Sequence, residues 1–284
     1  MIHYYTSEQI SQHVIRITSL SQEFMYLIEG EHEAVLVDTC LGVGNLRAFV
    51  EHLTSKPVTV ILTHGHVDHA MGAPAFDKVY MSPLDNLIYT EHQELKVRQE
   101  YMEMTLGPAM PDLNELEFVL PQPPDFLELK EGDRFDLGGI HLGIFSAGGH
   151  TPGTMAILIE EERTLILGDA CNYSTFLFDE HSYTVEKYKE SLENLARNVD
   201  GKFDRVYLCH LAGEASGDML EGVIKLCGDI MNRQTDDVPF TFMDYTCCIA
   251  KAVDQHFMRV DGGIGNIIYS VNQIFEHQMG RLNG

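Results

Sequence analysis

The sequence predicts an α+β protein, and three observations carry that expectation. Strand and helix signals alternate through the first 80 residues. A cluster of strand-like runs, separated by glycine or charged turns, fills 126–169. A fully apolar run, VTVILT at 58–63, leads straight into a histidine-rich loop. Hydrophobic residues make up 44% of the 284 and aromatics 9%, enough for an ordinary packed core. No linker or internal repeat divides the chain, so one domain over 1–284 is expected.

FMYLIE (24–29) and AVLVD (34–38) flank the polar turn Gly30-Glu31-His32-Glu33 and form a hairpin. Leu46, Phe49, Val50 and Leu53 recur at helical spacing, and Pro57 closes that helix. VTVILT is a buried strand, and KVYMS (78–82) is the next one. Residues 84–106 have helical character. The stretch 107–125 holds Pro108, Pro111, Pro121, Pro123 and Pro124 and must be irregular. Together 84–125 form an insertion, either a lid over a site or a plain surface excursion. Strands follow within 126–147, at 154–160 and at 164–169. A helix over about 184–199 carries Val185, Tyr188, Leu192, Leu195 and Val199 on one face. RVYLC (205–209) is a strand and 217–233 a helix. Residues 235–284 form a C-terminal extension that ends in a turn at Asp261-Gly262-Gly263 and a final strand.

The charge balance, 19 Lys+Arg against 43 Asp+Glu, leaves a net −24. So few cations cannot build a large basic face, which excludes nucleic acid and anionic membrane surfaces as expected partners. The N-terminus lacks the basic and apolar regions of a signal peptide, and no run of about 18 apolar residues exists. Six cysteines show neither a disulfide framework nor a CxxC pair, which suits a reducing, cytoplasmic setting. Cys247 and Cys248 are expected to be a buried apolar pair.

The chemistry concentrates in His64-Gly65-His66-Val67-Asp68-His69, directly after VTVILT. On a tight loop leaving a strand, His64 and His66 point the same way and can grip one ion, while Asp68 and His69 turn toward a second position. Neutral imidazole and carboxylate are the ligands a borderline cation such as zinc prefers. His150 in the loop Gly148-Gly149-His150-Thr151-Pro152-Gly153, Asp169 at the end of TLILGD, and His210 after RVYLC each follow a strand-like run. Strand C-terminal ends are where sheet proteins assemble sites.

HGHVDH, GGHTPG, GDA and a strand-terminal histidine, in this order over about 20–215, resemble the metallo-β-lactamase superfamily of dinuclear metal hydrolases. The resemblance implies a four-layer αββα sandwich. It implies a first metal held by His64, His66 and His150, a second held by Asp68, His69 and His210, and Asp169 bridging both. Asp38 matches the aspartate that orients the histidine loop. The cofactors implied are two divalent ions, zinc by ligand preference, with iron or manganese open.

Departures from relatives narrow the branch. The flavin-coupled diiron reductases carry glutamate where Val67 stands. Many zinc β-lactamases use cysteine where Asp169 stands. Thioesterases acting on glutathione esters gather basic residues that the C-terminal quarter here does not cluster. Lactone-cleaving relatives place a tyrosine shortly after the bridging aspartate, which singles out Tyr173 as an oxyanion donor. Asp68 is a candidate proton relay as well as a ligand. The expected reaction is hydrolysis of an ester, lactone or thioester of a small neutral or apolar molecule by a bridging hydroxide. The rival readings are a mononuclear-iron oxidoreductase of persulfide-dioxygenase type in the same pocket and a metal-binding module without catalysis. The Met and Tyr residues of 84–125 and 235–284 suit an apolar pocket wall or, equally, a homodimer interface.

Overall fold

The computed structural model describes residues 2–113 and 117–279, and its packing divides the chain into two units, Met1–Gly143 and Ile144–Gly284. Residues 114–116 of the expected insertion and 280–284 of the expected extension lie outside the described residues. No helix among those described is long and apolar enough to cross a membrane.

The first unit begins with β1 (Tyr5–Gln9), β2 (Val14–Ser19), β3 (Phe24–Glu29) and β4 (Ala34–Val37), an antiparallel meander. After α1 (Leu46–Leu53) the direction changes, and β5 (Val58–Ile61) pairs parallel with β4. A short helix, α2 (Val67–Ala70), precedes β6 (Val79–Met81). The helices α3 (Asn86–His92) and α4 (Leu95–Leu106) then lead to β7 (Leu127–Glu128), which pairs parallel with β6. Strand β8 (Arg134–Asp136) closes the unit, pairing with the first residues of β9 (His141–Ser146). Strand β4 lies between β3 and β5 and is buried at all four positions, so both of its faces are covered, which is why AVLV is continuously apolar. Helix α1 starts where the Asn45 side chain accepts from the Ala48 N–H at 3.0 Å, and it buries Leu46 and Val50.

The helical stretch expected over 84–106 is two helices. Glu94 takes extended backbone (φ −58°, ψ 132°) and separates α3 from α4. Helix α4 has little amphipathic character in its sequence, yet it buries Met102 and Arg98. Arg98 is 1% exposed, and its guanidinium donates to the carbonyls of Leu41 at 2.8 Å, Gly42 at 2.6 Å and Val119 at 2.6 Å. Its carbon lies 5.0 Å from the centre of the Phe118 ring. Burial lowers the Arg98 pKa to about 10, so the side chain stays charged at neutral pH.

The second unit continues β9 into β10 (Met155–Ile159) and β11 (Thr164–Gly168), an antiparallel pair buried at every position. After β12 (Thr175–Leu177) and α5 (Val185–Val199), β13 (Arg205–Leu208) pairs parallel with β11, and β14 (Glu214–Ser216) pairs antiparallel with β13. The five residues expected on the inner face of α5 are all buried, as are Met219, Leu220, Val223, Leu226, Cys227 and Ile230 of α6 (Met219–Met231). Beyond α6 come β15 (Val238–Phe242), β16 (Tyr245–Ile249), β17 (Ile267–Tyr269) and α7 (Glu276–Met279). The sequence suggested only the last strand. The β15–β16 hairpin escaped because Pro239, Thr241 and Thr246 interrupt its apolar runs. Neighbouring residues on a strand face opposite ways, so Cys247 joins a small aromatic cluster while Cys248 packs toward the main core of the unit. Of the buried pair the sequence suggested, Cys247 is buried and Cys248 only half-buried.

Arg98→Leu should leave the Leu41 and Val119 carbonyls without their buried donor and destabilise the fold by about 3 kcal/mol. Urea denaturation of the variant against the parent measures this, and an unchanged midpoint would show that the clamp contributes nothing.

Candidate functional site

Parallel pairing brings the first group of polar residues together. Strands β4 and β5 run side by side with Val37 opposite Ile61, so the chain leaves both strands at the same edge. Asp38 leaves one and Thr63-His64 the other. Asp38 is buried and left-handed (φ 63°), a conformation that costs most residues roughly 1–2 kcal/mol and that aspartate tolerates better. The loop it starts is laced to α2: Thr39 N–H donates to the His69 carbonyl at 2.6 Å and Met71 N–H to the Cys40 carbonyl at 2.9 Å.

The Asp38 carboxylate accepts from the Thr63 N–H at 2.7 Å, the Thr63 hydroxyl at 2.8 Å and His69 Nδ1 at 2.9 Å. These bonds assign tautomers. A carboxylate only accepts, so His69 carries its proton on Nδ1 and presents a lone pair at Nε2. Thr63 has one hydroxyl proton and gives it to Asp38, so at 3.0 Å its oxygen accepts from His64 Nδ1. His64 therefore also presents the Nε2 lone pair. The ring centres of His64 and His66 are 4.8 Å apart and those of His64 and His69 4.1 Å. Asp68 Oδ2 lies 3.7 Å from His69 Nε2. His66 is half-buried, whereas His64, Asp68 and His69 are buried.

The second unit repeats the device. Parallel pairing of β11 with β13, Gly168 opposite Leu208, sets Asp169 beside the Cys209-His210 exit. Strand β10 is antiparallel to β11, so the loop entering β10, which holds His150, lies at that same edge. Gly149 is required there. A Cβ on it would fall 2.1 Å from the Tyr188 ring, and the Tyr188 hydroxyl in turn donates to the Ala170 carbonyl next to Asp169. His150 Nδ1 donates to the Phe176 carbonyl at 2.8 Å, which again leaves Nε2 as the lone-pair nitrogen. Asn172 Nδ2 donates to Asp169 Oδ1 at 3.4 Å. The other oxygen, Oδ2, lies 3.3 Å from His210 Nε2 and 3.7 Å from His150 Nε2.

Two donors about 2.0–2.1 Å from one tetrahedral cation sit about 3.3 Å apart, so these separations and tautomers suit shared divalent ions. The donors described here are imidazole nitrogens and carboxylate oxygens, and each residue offers one ligand atom. Tyr173 is half-buried; its ring packs against the core of its unit and burial raises its pKa.

Several residues that sequence reasoning passed over serve this site. Thr63 relays Asp38 to His64. Asp85 Oδ2 accepts the Gly65 N–H at 3.0 Å, His92 Nδ1 accepts the Val67 N–H at 3.1 Å, and the Tyr101 hydroxyl donates to Asp68 Oδ2 at 2.8 Å. The one signal for Thr63 and Asn172 was adjacency to a candidate site residue, His64 for the first and Tyr173 for the second. Asp85, His92 and Tyr101 gave none beyond their place in the insertion.

Comparison with known proteins agrees with this geometry. The family model of the metallo-beta-lactamase superfamily matches residues 19–210, and the chain belongs to that superfamily. It is 25% identical over 191 residues to the acyl-coenzyme A thioesterase MBLAC2 of Bos taurus, covering 62% of this chain and 68% of that one. It is 31% identical over 134 residues to an uncharacterised protein of Mycobacterium tuberculosis, spanning 55% of that protein's length and 45% of its own. A solved metallo-beta-lactamase from Pontibacter korlensis superposes with a TM-score of 0.59 at 17% identity, over 79% of this chain and 99% of that one. The fold is thus the α+β fold of the metallo-β-lactamases, and the protein is a hydrolase of that superfamily whose His/Asp clusters can bind metal.

Asp38→Asn isolates the tautomer effect, because asparagine tolerates the left-handed backbone equally well but presents an NH2 group where acceptors are needed. Chelator competition should show metal affinity reduced by about 10–100-fold. Parent-like affinity would mean that Asp38 does not orient the histidines.

Proposed function

We propose that the protein is a two-metal hydrolase that cleaves a thioester, ester or lactone bond of a small apolar acyl substrate. One observation carries the reading: a single oxygen of Asp169 faces both His150 and His210, as suits a carboxylate that bridges through one oxygen. In this reading His64, His66 and His150 hold one cation, Asp68, His69 and His210 hold the other, and Asp38 orients the histidine loop. Divalent cations held there supply Lewis-acid polarisation of the scissile carbonyl and activation of water near neutral pH. The protein's own part is geometric and electrostatic. Nδ1 bonds fix His64, His69 and His150 with Nε2 inward, so little reorganisation accompanies the reaction. Tyr173, raised in pKa and therefore a protonated hydroxyl at neutral pH, donates to the developing oxyanion. Asp68 takes up the proton that the attacking water releases and passes it to the leaving group.

An apolar face in the second unit supports the choice of substrate. Register places Phe242 opposite Tyr245, Phe240 opposite Cys247, and Phe176 and Ile249 both opposite Ile268, all on one side of a four-stranded sheet. Phe176 contacts Phe242 at 4.9 Å and Phe178 at 5.0 Å between ring centres. Phe176, Phe240, Phe242 and Tyr245 stay half-buried. The carbonyl of Phe176 also holds His150, so the aromatic face starts at a proposed ligand. An acyl chain suits that face. The net −24 favours recognition through the acyl end of the substrate and disfavours nucleic acid. The likeness to an acyl-coenzyme A thioesterase puts thioesters first.

Acyl-coenzyme A thioesters, lactones, glutathione thioesters, β-lactams and phosphodiesters, offered to protein whose metal content has been measured, test the proposal. Two bound metals with thioester or ester turnover are expected, and Asp169→Ala should lose metal and turnover together. One bound iron with persulfide oxidation and no acyl hydrolysis would overturn the reading, as would an Asp169→Ala protein that keeps both metals.

A further inference from the structure

We infer that the helices α3 and α4 form a positioning layer for the metal loop and that Tyr101 is the residue that sets the ligand orientation of Asp68. The inference rests on the two-metal reading above. Three side chains of this layer bond the His64–His69 loop, and each meets a different position. Asp85, just before α3, takes the Gly65 N–H. His92, at the end of α3, takes the Val67 N–H, and its ring stacks on His66 with centres 5.1 Å apart and planes 28° from parallel. Tyr101 of α4 donates to Asp68 Oδ2.

Gly65 has its reason here. A Cβ at that position would lie 2.9 Å from the Asp85 carbonyl oxygen and 3.2 Å from the Tyr89 amide nitrogen. The glycine between the two histidines lets the start of α3 come down onto the loop. Helix α4 is fixed by Arg98, whose guanidinium is tied to Leu41, Gly42 and Val119. Arg98 and Tyr101 are three residues apart and so share a helix face. The clamp that seats α4 therefore also delivers the Tyr101 hydroxyl.

The oxygen that receives this hydroxyl is the one 3.7 Å from His69 Nε2. The two oxygens of a carboxylate are equivalent, and left to itself the group rocks broadly about its terminal torsion. A phenol bonded to Oδ2 fixes that torsion and keeps an oxygen beside His69. Tyr101 acts through Asp68, so it is a positioning residue and not a catalytic one.

Tyr101→Phe in the full chain tests the inference, because phenylalanine keeps the ring that packs against the core of the first unit. Metal-free protein is titrated with cobalt and followed by visible absorption, with chelator competition for affinity. The variant should hold the more weakly bound cobalt about 10–100-fold less tightly and show an altered spectrum. Its metal-free melting temperature should stay within about 3 °C of the parent. Met104→Ala, an exposed change on the same helix, should bind as the parent does. Parent-like affinity and spectrum in Tyr101→Phe would overturn this inference alone. A parent protein that takes up no metal would overturn the two-metal reading and this inference with it.

Discussion

The structure of the metal loop depends on one buried carboxylate. Asp38 accepts hydrogen bonds from Thr63 and His69 in the segment that follows β5, and through them it decides which nitrogen of His69 and of His64 carries a proton. It can do so because β4 and β5 are parallel neighbours, so two chain exits remote in sequence emerge side by side. Asp38 reaches the loop from a left-handed backbone, and the bonds between the 38–40 segment and α2 keep it there. A strained residue held by its surroundings is common where a side chain must be aimed.

The second unit uses the same geometry for a different purpose. Parallel β11 and β13 set Asp169 beside His210, and the loop entering β10 adds His150 at that edge. Here the carboxylate itself faces the imidazoles, and Asn172 takes its other oxygen. Tyr188 supports the arrangement from beneath, with its ring against Gly149 and its hydroxyl on Ala170. In both units a glycine next to a candidate ligand marks close packing by another element: α3 at Gly65 and α5 at Gly149.

The helical insertion has more than one role. Sequence considerations left a lid and a surface excursion equally open. The structure shows that its helices contact the histidine loop, and that the residues making those contacts are polar and scattered: Asp85, His92 and Tyr101. A helix that buries an arginine and a methionine on one face carries a weak amphipathic signal, so pattern reasoning could see neither its break at Glu94 nor its inward face. The β15–β16 hairpin was hidden for a related reason. Pro239 stands inside the first strand, and a proline within a run argues against a strand.

What the sequence determined by itself is the local chemistry: the strand VTVILT, the HGHVDH loop, the strand-terminal Asp38, Asp169 and His210, and the inner face of α5. Each is written in contiguous residues or in a fixed period, so short-range physics suffices to find it. Tertiary structure alone decided which nitrogen each histidine offers, which oxygen of Asp169 faces two imidazoles, and that Tyr101, Asp85 and His92 belong to the site. Those outcomes depend on hydrogen bonds between residues 20 to 33 positions apart, as in Gly65 to Asp85, Thr63 to Asp38 and Tyr101 to Asp68, and only strand register and helix packing bring such groups within reach.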